Sequence, residues 1–124
     1  MKWLDRRIAR PGPHLCLCLS EKEYKVAMKH CCVEYATPWL NDGAHATTHL
    51  LRNPKGELCC IVCLGDTEGR LPVEIAGLLI HEAVHVWQEY CADIGEKYPA
   101  SEQEAYAIQA VSQELLDGFA KRVK

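Results

Sequence analysis

At 124 residues the chain has room for one sizeable hydrophobic core and not for two, so it reads as a single domain over residues 1–124. Apolar residues make up 48% and charged residues 25%, the balance of an ordinary globular chain, and a formal net charge of −3 gives no reason to expect a nucleic-acid partner. The longest uncharged apolar runs, 58–65 and 75–80, are too short to cross a bilayer, so no membrane partner is expected.

Residues 1–10 are basic, but Pro11-Gly12-Pro13 precedes only a short apolar run and no small-residue cleavage site follows, a poor match to a secretory signal. The run 15–19 predicts a first strand. Ser20 and Glu23 spell a capping box that starts a helix to about residue 35, with Tyr24, Ala27, Met28 and Cys31 inward and Lys22, Lys25 and Lys29 outward. Residues 37–43 form a loop. In 44–52, His45, Thr47 and His49 alternate with Ala46, Thr48 and Leu50, which predicts a half-exposed strand, polar enough to form a sheet edge. Asn53-Pro54-Lys55-Gly56 predicts a tight turn, and 57–64, apolar nearly throughout, its central hairpin partner.

Pro72 suits a first helical position, and 73–90 contains no further proline. So much of this helix is apolar around its circumference that it is expected to be central and largely buried. It carries His81-Glu82-Ala83-Val84-His85. Residues four apart on a helix lie one above the other, so two imidazole nitrogens can reach one ion. Glu82 projects about 100° around from His81 and can address a metal-activated water. Zinc lowers the pKa of water, and a carboxylate takes the proton. Buried histidines also need partners, which a metal supplies.

After a break at Gly95 and Pro99, Ser101 begins an amphipathic helix to about residue 121, with Ala105, Ile108, Val111, Leu115 and Phe119 inward. A catalytic zinc site needs a third protein ligand and one position open for water. Glu104 is the best candidate, because it shares the side of the apolar stripe, where a solvated glutamate is out of place. Ser101 and Glu104 also spell a capping box, which would occupy that carboxylate with the backbone of Ser101. Glu102 is the reserve ligand. Gln109 and Asp93 are candidates for orienting the histidines.

A histidine-glutamate-any-any-histidine helix followed, nineteen positions beyond its second histidine, by Glu104-Ala105-Tyr106 resembles the gluzincin type of zinc metallopeptidase. The likeness covers about residues 45–115 and is closest to the minimal forms carried by phages and prophages. It implies a zincin-like fold, His81, His85 and Glu104 as zinc ligands, Glu82 as general base, and a peptide or protein substrate, with a phage or host protein as a further partner. The order of elements predicts an α+β fold: a three-stranded, mostly antiparallel sheet packed against the histidine-bearing helix and the Glu104 helix. In zincin-like peptidases an edge strand pairs with extended substrate, and 44–52 is the candidate. His45, His49, Tyr98 and Tyr106 are candidates for steadying the oxyanion.

The eight cysteines lie largely in strand-like apolar runs and read as small buried hydrophobes with free thiols in a reducing compartment, hence the cytoplasm of a cell or infected host, or a virion. The alternatives are a disulfide framework, were the protein secreted, and a lesser one, a structural zinc on Cys16, Cys18, Cys60 and Cys63. The rival to catalysis is a virion or host-interaction protein in which zinc is a structural staple or relic, closed by Cys91 or His49. Hydrolysis of a non-peptide amide, such as a cell-wall linkage, would use the same residues.

Overall fold

The computed structural model describes residues 12–34 and 37–123; the basic segment 1–10 lies outside them. The elements run β1 (His14–Cys18), α1 (Glu21–His30), β2 (Ala46–Arg52), β3 (Leu58–Leu64), α2 (Pro72–Ile94) and α3 (Ser101–Arg122). This is an α+β chain, with a sheet in the order β1-β3-β2. β2 is antiparallel to β3 but β1 is parallel to it, so the sheet is mixed rather than mostly antiparallel. The long excursion through α1 and β2 lets the chain return alongside β1 in the same direction, which no tight hairpin can do.

Every residue of β3 is buried. Leu58, Cys60, Val62 and Leu64 pack with Ile75, Leu79, Ala83 and Val86 of α2 and Leu115 of α3. Ile61 and Cys63 pack on the other face with Tyr24, Ala27 and Met28 of α1. The sheet is therefore sandwiched between α1 and the α2–α3 pair. A strand covered on both faces has no solvent side, hence its unbroken apolar run.

α1 starts as its capping box predicts, with Glu23 N–H donating to Ser20 Oγ and Leu19 N–H donating to Glu23 Oε1. It stops at His30, earlier than the expected residue 35. Cys32 turns to a positive φ of 57°, and the N–H groups of Cys32 and Val33 return to the carbonyls of Lys29 and Met28. That is a Schellman ending with a cysteine where glycine is usual, so the sequence carried no stop signal. Gly95 ends α2 in the same way, with φ 76°.

α2 is less buried than its composition suggested. Its buried residues, Ile75, Leu79, Glu82, Ala83, Val86, Trp87 and Cys91, form one broad stripe, while Val73 and Ile80 are exposed. One sheet and one neighbouring helix cover only part of its circumference, leaving His81 and His85 in solvent.

β2 is an edge strand, as its polarity predicted. Its alternation, however, sends Thr47 and His49 into the α1 layer, where both are buried. Thr47 Oγ1 accepts the Asn41 N–H, and His49 Nε2 donates to the Trp39 carbonyl while Nδ1 faces the Tyr24 hydroxyl. Ladder bonds at the two ends of the hairpin, Gly65 N–H to His45 and Asn53 N–H to Glu57, set the phase of pairing. By alternation Ala46, Thr48 and Leu50 turn their backbone groups to the open edge.

Candidate metal centre

Position 82 lies within about 40° of the direction of Ile75 and Val86 around α2, on the sheet-facing stripe. A glutamate there is 5% exposed, and its carboxylate must find a donor. Thr48 of β2 supplies it: Oγ1 donates to Glu82 Oε1 at 3.0 Å. His81 and His85 lie beside this stripe on the exposed flank, one turn apart, ring centroids 4.9 Å apart and planes at 75°. Their Nε2 atoms converge to 3.2 Å.

One ligand atom from each of His81, Glu82 and His85 lies within 4.8 Å of the others, and among the described residues no other histidine, cysteine or carboxylate group is so arranged. These three could hold a metal ion. The test of fit is the nitrogen separation. With metal–nitrogen bonds of about 2.0–2.1 Å, two tetrahedral ligand nitrogens stand about 3.3 Å apart. The rings already meet that separation. Their solvent exposure removes the argument that burial forces a metal partner on them, and the 3.2 Å contact also serves as a hydrogen bond between the two rings.

Glu104 is not part of the group. Its Oε2 accepts the indole N–H of Trp87 at 2.8 Å. Trp87 is two positions beyond His85, about 200° around α2, so this contact falls on the far side of the helix from the histidines. Cys91 lies on the same side as Trp87, and its thiol is raised by burial and then by the charge of Glu104. The capping box does not form either: α3 has Ala100 at its N-cap and no side-chain cap. The pairing had a signal in two oddities together, a tryptophan N–H in an apolar stripe and a carboxylate in another. Glu102 and Gln109 are exposed, and Asp93 pairs with Arg52.

Glu104→Ala is expected to cost about 1–3 kcal/mol, because a buried indole N–H loses its acceptor, and to leave metal binding intact. Urea denaturation and zinc titration of the variant check both halves. Lost zinc binding would mean that Glu104 leaves Trp87 for the ion.

Of the oxyanion candidates, His45 borders the cleft beside His81 and Glu82. His49 is committed on the α1 face of the sheet, and Tyr98 and Tyr106 are exposed. Nor can His49 close a metal site on the α2 side. That cleft has a volume of about 380 Å³ and is bordered also by Arg70, Glu74 and Gly77.

All eight cysteines are free thiols. Cys60 and Cys63 point to opposite faces of β3, one into each core layer, so they form no metal knuckle. Burial pushes the Cys60 thiol up to about 12. Cys18 also rises to about 12: the bond from Cys16 lowers it, but the Cys63 bond and burial outweigh that. Thiols that hold their protons this firmly behave as small apolar side chains. No helix among the described residues is long and apolar enough to cross a membrane. Comparisons with protein-family models, with curated proteins and with solved structures find no match.

Proposed function

We propose that the protein is a zinc-dependent hydrolase, a minimal gluzincin-like metallopeptidase that cuts a peptide or amide bond. The observation that carries this reading is the convergence of two imidazole nitrogens to 3.2 Å on the flank of a helix whose intervening glutamate is buried and held by Thr48. A buried carboxylate fixed in this way beside the two nitrogens suits a general base.

His81 and His85 would be two of the three protein ligands of the ion, Glu104 being held on Trp87, and when bound the ion supplies the Lewis acidity that makes water a nucleophile near neutral pH. Glu82 takes the proton of the attacking water and delivers it to the leaving amine. The Thr48 bond fixes one carboxylate oxygen, so Glu82 pays little in side-chain ordering when it acts. Ala46, Thr48 and Leu50 offer edge backbone groups to an extended substrate, which would lie along the strand that orients the base. His45, at the start of that edge, is the candidate donor to the oxyanion. The reading is tested by native mass spectrometry with added zinc, followed by digestion of a peptide library with and without chelator. One zinc per chain and chelator-sensitive cleavage are expected; no zinc uptake would end it.

One observation favours a second reading. Glu104 rests on Trp87, so Glu82 is the carboxylate nearest the two nitrogens. In a non-catalytic protein of the virion or of host interaction, Glu82 would itself be the third ligand of a structural metal. Thr48→Val separates positioning from packing. It leaves the carboxylate without its donor and is expected to lower turnover about tenfold to a hundredfold, the range for partners that orient a catalytic group, with zinc content unchanged. Thr48→Ser should restore most of the rate. Equal turnover in Thr48→Val would remove the positioning role.

A further inference from the structure

Of the three arginines among the described residues, Arg52 pairs with Asp93 and Arg122 with Glu23. Arg70 has neither an ion pair nor a side-chain hydrogen bond among the described residues, although it is partly buried and borders the cleft beside His81 and Glu82. The two carboxylates bordering the same cleft are engaged elsewhere. Glu74 Oε1 accepts the Leu71 N–H at 2.8 Å, and Glu82 Oε1 accepts Thr48 at 3.0 Å. A guanidinium left without a partner beside a cleft presents a planar fork of donors that matches a carboxylate.

A second feature is independent of charge. Gly77 lies one turn before His81 inside the long helix α2, where glycine is a poor helix former. Packing does not require it, since a Cβ there would meet nothing within 4 Å. Its effect is to leave the wall of the cleft open next to the histidines. At about 380 Å³ the space lies at the small end of ligand clefts, enough for one short side chain or chain end.

We propose that Arg70 and the gap at Gly77 form a subsite for a carboxylate that the substrate carries beside the bond to be cut. The inference rests on the metallohydrolase reading and names its substrate class: a peptide with an acidic residue or a free carboxyl terminus at that place. A doubly charged phosphate suits the cleft less well, because Glu74 stands in the same wall as Arg70.

The test uses zinc-loaded full-length protein and two small hydroxamates as probes, succinate monohydroxamate and its terminal amide, with affinities measured by calorimetry. The carboxylate form is expected to bind at least about tenfold tighter to the wild type, the worth of one charged hydrogen-bonded pair. Arg70→Gln should erase that preference without changing zinc content or affinity for the amide. Gly77→Leu should also erase it, by filling the space, without lowering the melting temperature. A hydroxamate coupled to alanine with a free carboxyl terminus, compared with one coupled to aspartate amide, identifies which source of carboxylate fits. Equal affinity of acid and amide probes for zinc-loaded wild type would overturn the subsite and leave the metal site standing. Failure of the wild type to take up zinc would overturn the metal reading, and the subsite with it.

Discussion

His85→Ala is expected to lose zinc binding by well over a hundredfold. Partners that merely orient a ligand are worth 10- to 100-fold, and a ligand itself contributes more. The effect should be confined to the metal-bound state. His85 is exposed and its side chain bonds His81, so the metal-free variant should unfold within about 0.5 kcal/mol of the metal-free wild type. The contrast appears on adding zinc. At a concentration of about 100 times the dissociation constant, the wild type gains about 2.7 kcal/mol of stability and the variant gains almost none. Thermal unfolding with and without zinc, alongside metal content, reads both quantities. A variant stabilised by zinc as strongly as the wild type would show that the two nitrogens do not share an ion.

Glu82→Gln is expected to abolish hydrolysis while zinc stays bound. The amide keeps an oxygen to accept from Thr48 and fills the same volume, so the fold and the 3.0 Å contact have every reason to persist. What it lacks is basicity. Loss of a positioned general base costs about 10²–10⁴ in rate. Zinc content separates the two roles open to Glu82. Retained zinc with lost cleavage supports the base; zinc lost together with cleavage makes Glu82 a ligand and favours the structural reading. Cleavage that survives the substitution would remove it from the mechanism altogether.

Much of the fold was legible because it follows local rules. Ser20 and Glu23 mark the start of α1, Gly95 the end of α2, and Asn53-Pro54-Lys55-Gly56 the hairpin, each through backbone groups satisfied within a few residues. β3 announced its central place by being apolar on both faces. The end of α1 was not legible, because Cys32 takes a left-handed conformation that glycine normally signals. Nor was the parallel pairing of β1, since register between distant strands is decided by which layers cover them.

The candidate site divides along the same line. Spacing alone brings His81 and His85 together and puts Glu82 beside them, because a helix repeats every 3.6 residues whatever surrounds it. Everything across from that helix depended on packing. Thr48 reaches Glu82 only because β2 lies under α2, and Glu104 meets Trp87 because α3 crosses α2 on the side away from the histidines. The alternation of β2 was equally consistent with either set of side chains facing α1, and burial of Thr47, His49 and Leu51 chose between them. Local periodicity thus determined the pair of histidines and the carboxylate between them. Which donor holds that carboxylate, which glutamate stays away, and which arginine is left facing the cleft are contacts between residues far apart in the chain, and only the folded packing of α2 against β2 and α3 decided them.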